Sequence, residues 1–432
     1  MTIRMLQAWN GLHQQKIVTT LSGSDEAALV AAGIATYDLD GPAENLRMAQ
    51  LATDAGGASV GLSLGTKVIA GSAPIAPSIE AKKLKIGVYY FPGWSTPGGG
   101  PNAAAPWSII PSGRYPYMGQ YDETQQANID IQLATMRDCG IDFVIIDWFF
   151  DTVTHNSSSA TLVPFLEHWI NGYLASTVPG KPKFCINWAN ATNASYVTNA
   201  GFDAAVQYWI SKYFSNPNYL TVSGKPVVLF ASIDATMSNI SGSKSNRIVA
   251  ARAAAVAAGY PGLYWVNGIS APANTWINNM ATVEGDAITT TNVFYKYQIG
   301  NDTAGPAWTD WTGLEDALIG AQGGGYNSWY SGFMGATAIA NAGKKIWMPC
   351  SAGWDSTPWN GSNTRFAAPT ATQFATHLHN VRRLALQNYS RTDGFVCIQA
   401  WNEHGEGGAV EPGPFADGYG RVNAIRNILS NQ

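Results

Sequence analysis

The sequence predicts an α/β protein in which residues 81–432 form a (β/α)8 barrel of the TIM type, preceded by a small N-terminal module. Eight short runs are almost continuously apolar and rich in β-branched or aromatic residues, as strands buried on both faces should be. Longer segments with helical periodicity separate these runs, and that alternation is typical of a barrel. The runs begin at Ile86, Asp142, Lys183, Pro226, Leu263, Asp286, Lys345 and Phe395.

The predicted helices are recognised by their apolar faces and their ends. In the first, Ile129, Leu133 and Met136 share one face, and Gly140 is the expected stop. A later helix is expected to end at Gly259. An open doubly wound sheet is the alternative fold. That fold needs a glycine-rich phosphate turn after an early strand, and the sequence has neither a G-x-G-x-x-G nor a Walker A pattern.

Residues 1–80 differ in character from the rest and are predicted to form the separate module and its linker. A short helix is expected from Ser24 to Gly33, because a serine cap and acidic residues mark its start. The Pro-, Ala- and Ser-rich stretch 71–83 is typical of a linker. The module is too small and too rich in alanine for a large core, and it contains no recognisable catalytic motif.

The composition favours a protein that handles neutral polar molecules. Lys and Arg number 25 and Asp and Glu number 29, so the formal net charge is −4, and only 12% of the residues are charged. This balance argues against a nucleic-acid partner, which would be held by counterion release. The abundant amide and hydroxyl residues and the 16 tryptophans suit sugars, which are neutral, stack on indole faces and hydrogen-bond to amides.

Signals for a membrane, for export and for metals are missing from the sequence. No apolar run approaches the roughly 20 residues of a membrane helix, and polar residues interrupt any secretory leader, so the localisation is left unknown. No cofactor and no metal is expected. The cysteines are far apart and lack metal-ligand spacing, which predicts buried thiols at Cys139, Cys185, Cys350 and Cys397.

Candidate site residues follow from the rule that barrel enzymes place catalysis on the loops after the carboxyl ends of the strands. These loops carry aromatic, amide and carboxylate side chains, with no Ser-His-Asp set. Carboxylates in a neutral pocket lined by aromatic residues are typical of glycosidases. The predicted substrate-binding residues are Tyr90, Trp94, Asp122, Asp147, Trp148, Asn187, Trp188, Asn267, Tyr295, Trp354, Asp355, Trp401, Asn402 and His404.

The strongest local signal is the stretch W-N-E-H-G-E-G at residues 401–407, directly after the eighth predicted strand. Two glutamates three residues apart can point their carboxylates to one side of a tight turn. Carboxylates held close cannot both ionise easily, so one pKa rises and the pair supplies one acid and one base near neutral pH. Glu403 and Glu406 are therefore the predicted catalytic residues. The alternative is that they are ordinary glutamates of a solvated loop.

Several of the polar candidates also have a second interpretation that the sequence leaves open. Asp147 ends an apolar strand, where a structural hydrogen-bond acceptor would fit as well as a substrate ligand. Asp122 can cap the first barrel helix, and Asp355 can form a turn instead of holding a sugar hydroxyl. His404 can tune the ionisation of the neighbouring glutamates instead of touching substrate.

Seven stretches stand in order between about residues 85 and 428: IGVYYFPGW; GQYDE with a helix and GIDFVIIDWFF; KFCINWAN; GKPVVLF; GYPGLYWVNG; SAGWDSTPW; and AWNEHGEGGAVEPGPFADGYGRVNAI. Together they resemble the glycoside hydrolase family 99 and WbsX-like group, which contains endo-α-mannosidases and barrel proteins encoded near bacterial polysaccharide loci. The resemblance implies a (β/α)8 barrel without a required metal.

The resemblance also implies roles for both glutamates, with Glu403 as the base and Glu406 as the acid that protonates the leaving oxygen. In the mannosidases of the group, the base takes the proton of the sugar's own 2-hydroxyl, and a 1,2-anhydro intermediate leads to net retention. Three positions depart from the group's pattern: His404 replaces a usual tryptophan, Gly405 a histidine of the mannosidases, and Ala191 a glutamate of WbsX-like proteins. These departures bear on the choice of sugar and leave the carboxylate pair unchanged.

The sequence thus predicts an endo-acting, retaining glycoside hydrolase of a bacterial surface or capsular polysaccharide. One alternative is a glycosyltransferase, which would need a diphosphate site that the barrel sequence does not show. Another is a carbohydrate-binding barrel without turnover. The module at residues 1–80 is similar to the attachment pieces of phage tail enzymes, which predicts a virion tail partner and action outside the cell.

Overall fold

The computed structural model describes the barrel strands, most of the helices around them and the loop after the last strand. Some predicted features lie outside the described residues, namely the helix from Ser24, the linker at 71–83 and the site residue Tyr295. The described residues are 3–5, 17–18, 35–37, 84–94, 106–150, 164–189, 197–231, 237, 240–268, 284–289, 343–360 and 368–430.

Three short strands near the N-terminus form an antiparallel sheet of their own. They are β1 (Ile3–Met5), β2 (Ile17–Val18) and β3 (Ala35–Tyr37), with β1 in the middle. Residues 38–83 lie outside the described part of the chain. The predicted boundary between a module and the barrel at residue 80 therefore stays a prediction.

The remaining strands form a parallel barrel, which confirms the predicted fold class. All eight predicted apolar runs become strands of this ring, and each strand pairs in parallel with its neighbours. Two short strands, β6 (Pro164–Phe165) and β8 (Thr221–Val222), add antiparallel partners to β5 and β9. In chain order the ring strands are β4 (Lys85–Tyr90), β5 (Phe143–Phe150), β7 (Lys183–Trp188), β9 (Lys225–Phe230), β10 (Tyr264–Gly268), β11 (Ala287–Thr289), β12 (Lys345–Ile346), β13 (Met348–Ser351) and β14 (Phe395–Gln399).

The barrel closes because β12 and β13 act as one bent strand. A single residue, Trp347, separates them. β12 pairs with β11 on one side, and β13 pairs with β14 on the other. At the bend, the backbone N–H of Trp347 donates to the carbonyl of Ile288 at 2.9 Å, and its carbonyl accepts from the Thr289 hydroxyl at 3.0 Å. Counted this way, eight strands complete the ring.

Helices cover the outside of the ring. The apolar faces and the glycines that were predicted to end two of these helices are found in the structure. Ile129, Leu133 and Met136 are buried on the first helix, which is followed by Gly140 in the left-handed region at φ 82°. Gly259, with φ 94°, likewise follows the predicted later helix. The described helices are α1 (Gln126–Asp138), α2 (His168–Ala175), α3 (Asn199–Lys212), α4 (Lys244–Ala257), α5 (Thr357–Asn360), α6 (Ala371–Gln387), α7 (Tyr389–Thr392) and α8 (Gly420–Ser430).

Aromatic side chains fill the barrel interior near the amino ends of the strands. The rings of Trp347 and Phe395 stack at 4.0 Å, and Phe143 meets both edge-on at 5.7 and 5.8 Å. Gly87 lies opposite Phe143 in the neighbouring strand, and a Cβ at this position would collide with the phenyl ring. The amino end is thus packed with rings, and polar side chains gather at the carboxyl end.

The four cysteines are free and buried, as predicted. No helix in the described part of the chain is both long and apolar enough to cross a bilayer.

Candidate active site

The loop that follows β14 folds into a tight turn around one carbonyl group. The carbonyl of Glu403 accepts hydrogen bonds from the backbone N–H of Glu406 at 3.3 Å and of Gly408 at 3.1 Å. Gly407 adopts φ 66°, a left-handed conformation in which other residues are strained. The sequence spacing therefore becomes a compact turn that carries both glutamates.

Three carboxyl groups interact at this end of the barrel. Burial, followed by the negative charges of Glu406 and Asp147, raises the pKa of Glu403 well above its ordinary value. Burial and the charge of Asp147 raise the pKa of Glu406 to about 8. Burial raises the pKa of Asp147 to about 7, against the effect of a hydrogen bond from Asn187. The turn therefore retains protons near neutral pH, as an acid and base pair requires.

Two amide side chains flank the carboxyl groups. Asn187, opposite Asp147 in the neighbouring strand, donates from Nδ2 to Oδ1 of Asp147 at 2.7 Å. Gln399 donates from Nε2 to Oε2 of Glu406 at 3.4 Å. The side-chain carbonyl oxygens of Asn187 and Gln399 are buried and accept no hydrogen bond from the described residues. Such acceptors call for a donor. The hydroxyls of a bound sugar would supply it.

Asn402 ties the turn to the end of β4. Its Oδ1 accepts from the backbone N–H of Phe91 at 2.9 Å, and its Nδ2 donates to the carbonyl of Phe91 at 2.8 Å. Nδ2 also donates to Oε1 of Glu123 at 3.2 Å. These bonds engage both ends of the amide, so Asn402 positions the turn, and its predicted contact with substrate stays a prediction.

Glu123 is a fully buried carboxylate at the centre of this network. It accepts from the Tyr90 hydroxyl at 2.5 Å and from the backbone N–H of Trp94 at 3.0 Å, and His168 lies 3.1 Å away. Burial raises the pKa of Glu123 above its ordinary value, although the hydrogen bonds that this carboxylate accepts oppose part of the rise. Glu123 therefore joins β4, α2 and the glutamate turn into one unit.

An arginine clamps the turn from the other side. Arg114 donates to the carboxylate of Asp355 at 2.5 Å and to the carbonyls of Asp355 and His404 at 2.9 and 3.2 Å. Asp355 also caps the start of α5 through Thr357, and its backbone N–H donates to the carbonyl of Glu406 at 2.5 Å. Asp355 thus makes the predicted turn. The structure shows a positioning role for Asp355, and its predicted contact with a sugar stays a prediction.

His404 points away from the glutamates into an aromatic cluster. It is 1% exposed, and its Nε2 lies 3.0 Å from Oε2 of Glu411. The rings of Trp94 and Trp107 lie 5.1 and 5.5 Å from the imidazole. The side chain is enclosed by protein, so the structure shows packing contacts for His404, and its predicted contact with substrate stays a prediction.

Most of the predicted sugar-stacking aromatics are also enclosed by protein. Trp148 and Trp188 alternate with Asp147 and Asn187 along their strands, so they face outward, where both pack on Trp209 of α3 at 5.2 and 5.1 Å. Four others are similarly buried: Tyr90 stacks on Trp169, Trp94 packs on Trp107, and Trp354 and Trp401 are 6% and 1% exposed. Period-two alternation explains the burial of Tyr90, Trp148 and Trp188, because every second residue of a barrel strand faces the helices, whereas Trp94, Trp354 and Trp401 are buried in the loops that follow their strands.

Two further polar predictions have structural explanations. Asn267 lies on the same strand face as Trp265, which packs outward on Phe202 at 6.2 Å, and its Nδ2 donates to the carbonyl of Glu284 at 3.1 Å. Asp122 accepts from the N–H and hydroxyl of Thr124, each at 2.8 Å, ahead of α1. Neither side chain is brought to the glutamates.

The structure adds residues that the sequence analysis did not select. Glu123, Glu411 and Arg114 hold the glutamate turn, and only Glu123 and Glu411 stood in stretches quoted for the resemblance. Trp359 is partly exposed and packs against Gly405, where a Cβ would collide with the indole. Trp359 also packs on Phe91 and Trp94, and unlike the buried tryptophans it keeps part of its indole exposed. Among the described residues, no group of three or more His, Cys, Asp or Glu could hold a metal ion.

Solved structures share this architecture. The family 99 endo-α-mannosidase of Bacteroides thetaiotaomicron is similar at 14% identity over 80% of this chain and 96% of that one, with a TM-score of 0.52. A protein described as glycoside hydrolase-like is similar at 15% identity over 81% of this chain and 94% of that one, with a TM-score of 0.58. No curated protein sequence matches the chain.

The closed ring of parallel strands with helices around it defines a (β/α)8 barrel, the fold that the family 99 structure shares. Residues 113–422 match the family described as Glycosyltransferase WbsX. The match covers more than half of the chain, so the protein belongs to the WbsX family, as the sequence resemblance implied.

Proposed function

We propose that this protein is a glycoside hydrolase that cleaves a bacterial surface or capsular polysaccharide at internal bonds, with Glu403 as base and Glu406 as acid. The observation that carries the proposal is the pair of interacting glutamates whose pKa values are raised together at the carboxyl end of the barrel. A carboxylic acid and a carboxylate side by side are the requirement of glycosidic cleavage. The solved family 99 endo-α-mannosidase with the same fold supports this choice of reaction.

The proposed chemistry needs only these two groups and water. Protonated Glu406 gives its proton to the glycosidic oxygen as the bond from C1 to that oxygen breaks. In the reacting state the pair holds this single proton on Glu406, and Glu403, which is then ionised, takes the proton of the 2-hydroxyl, whose oxygen forms the new bond to C1. Water then opens this 1,2-anhydro ring at C1, giving a proton to Glu406 while Glu403 returns its proton to O2. The configuration at C1 is retained, and the route requires a 2-hydroxyl opposite the leaving oxygen.

Glu403→Gln and Glu406→Gln test the proposal separately. Each variant should lose at least about a thousandfold in turnover, because glutamine neither donates nor accepts the transferred proton. The assay is the release of new reducing ends from a panel of bacterial polysaccharides. Asp203→Asn, which changes an exposed carboxylate of α3, is the matched control and should keep wild-type turnover. Near wild-type turnover in either glutamine variant would contradict the assignment.

A glycosyltransferase is the second candidate, because the family's description favours it. A transferase would form product from a nucleotide sugar and an acceptor glycan. Incubation of the protein with a panel of nucleotide sugars and bacterial glycans, with mass detection of the product, separates the two reactions. Transfer without any release of reducing ends would replace the hydrolase proposal.

For residues 1–80 we keep the predicted attachment to a virion tail, with action outside the cell. Binding of the full chain to purified tail proteins measures it, and the sugar chemistry of the barrel does not depend on the result.

A further inference from the structure

A second cavity lies on the outer surface of the barrel, between α1 and α8. Its volume is about 180 Å³. Gln132 and Asp138 of α1 line one wall, and Asn423 of α8 lines another. The loops before these helices contribute Tyr117 and Trp401. The cavity does not include either glutamate of the candidate active site.

The mouth of the cavity exposes aromatic and aliphatic surface. The rings of Tyr117 and Tyr419 lie 5.4 Å apart and 35° from parallel. Tyr117 is 43% exposed and Ile131 is 38% exposed, which makes them two of the five large hydrophobic side chains that the described part of the chain exposes. Apolar surface concentrated around a concave feature marks a binding site.

The floor of the cavity holds an unsatisfied donor. Trp401 lines the cavity and is 1% exposed, and its indole N–H has no hydrogen-bond partner among the described residues. A buried donor of this kind requires an acceptor. Glu411, on the same floor, is already engaged by Gln132, Tyr121 and His404. A hydroxyl oxygen of a ligand in the cavity is the acceptor that we consider for this N–H.

We propose that this cavity binds one pyranose ring of the polysaccharide, as a second sugar site apart from the catalytic end; the inference rests on the proposed function. Tyrosine faces suit the C–H side of a sugar ring, and a ring hydroxyl accepts from the Trp401 indole. The lining carries the carboxylates of Asp138 and Glu411 and the guanidinium of Arg426, so its charge does not call for an ionic ligand. The volume is below the roughly 300–1,000 Å³ of pockets for drug-sized molecules, so one ring fits and a longer segment extends outward.

Met118 provides a reporter, because it lines this cavity and not the glutamate turn. The full chain is labelled with 13C-methyl methionine, and Met118→Leu assigns the signal. Methyl mannoside, glucoside, galactoside and N-acetylglucosaminide are the probes, and acyclic glucitol is the control for a non-specific polyol effect. We expect a saturable shift of the Met118 signal with at least one pyranoside and none with glucitol. Tyr117→Ala should weaken that binding about tenfold or more, the equivalent of a lost stacking contact.

Val249→Ala is the matched control, since Val249 is also an exposed apolar side chain but lies on α4. It should leave the affinity unchanged. A Met118 signal that no pyranoside moves, or that glucitol moves equally, overturns the sugar site even when hydrolysis is normal. Conversely, a saturable shift in a protein that releases no reducing ends keeps the sugar site and rejects the hydrolase. The two proposals therefore fail separately.

Discussion

At the residue scale, the proposed chemistry depends on three carboxyl groups whose pKa values are raised by burial and, for the two glutamates, by neighbouring negative charge. Neither lysine nor arginine is paired with Glu403, Glu406 or Asp147 among the described residues. Without a cation to relieve the repulsion, each ionisation makes the next one harder. Two predictions follow from the sign of this effect.

Glu406→Gln should make the protein more stable at alkaline pH. The pKa of Glu406 rises from 4.5 in the unfolded chain to about 8 in the fold, so its protonated form favours folding at low pH. That contribution is complete below pH 4.5 and is lost as the pH rises through about 8. Glutamine cannot ionise, so the variant should gain roughly 1–3 kcal/mol over wild type at the alkaline end, as measured by urea unfolding across this range. An equal pH dependence in both proteins would contradict the proposed burial.

Asp147→Asn should move the alkaline limb of the rate profile to lower pH. The charge of Asp147 raises the pKa of both glutamates, so its removal lets the catalytic acid lose its proton earlier. The amide keeps an oxygen that can accept from Asn187. We expect a shift of about half to one pH unit in kcat/KM. Asp122→Asn, which alters a turn ahead of α1, should leave the profile in place.

The sequence predicted a turn that carries two neighbouring glutamates, and the structure forms that turn but does not bring most of the other predicted site residues beside it. Trp148 and Trp188 stand next to Asp147 and Asn187 in the sequence, yet alternation along a strand sends them to the opposite face. Proximity in sequence to a strand end was therefore a poor guide to proximity in space. The network around Glu123 could not be foreseen, because its partners come from three segments far apart in the chain, at residues 90–94, at His168 and at Asn402.

At the element scale, the glutamate turn is rigid because two different groups hold its backbone. Asn402 fixes its first residues to β4, and Arg114 fixes its middle to α5. Strand order and helix ends were predictable because period-two and period-3.6 patterns are local. The contact between Arg114 and the glutamate turn was not predictable, since Arg114 lies about 290 residues from the turn in the chain.

Arg114→Ala should therefore lower kcat about ten- to a hundredfold with a smaller change in KM, since a loosened turn misplaces the catalytic groups. Steady-state kinetics with an oligosaccharide substrate separate these constants. Arg247→Ala removes a comparable guanidinium from an exposed pair with Asp203 and should leave both constants unchanged. A rise in KM with an unchanged kcat would instead assign Arg114 to substrate binding.

At the scale of the whole molecule, aromatic packing at the amino end of the barrel stabilises the fold. The buried carboxyl groups at the carboxyl end destabilise the fold when they ionise. The rings of Phe143, Trp347 and Phe395 fill that end, and Trp347 is also the residue at which the ring closes. Stability and chemistry are thus separated along one axis of the barrel.

Phe395→Ala should cost about 3–5 kcal/mol of unfolding free energy, because it leaves a cavity among rings that cannot collapse into it. Denaturant unfolding measures the change. Val256→Ala on the exposed face of α4 should fall within about 0.5 kcal/mol of wild type. If Phe395→Ala lowered the free energy of unfolding by less than about 1 kcal/mol, the three packed rings would contribute little to the stability of the core.

The contact between Gly405 and Trp359 restricts how relatives of this protein can diverge. An indole occupies the space into which any side chain at position 405 would grow. A relative with histidine at position 405 needs either another residue in place of Trp359 or a displaced α5. We therefore expect positions 405 and 359 to vary together among related sequences. Sequences with glycine at 405 should have tryptophan at 359.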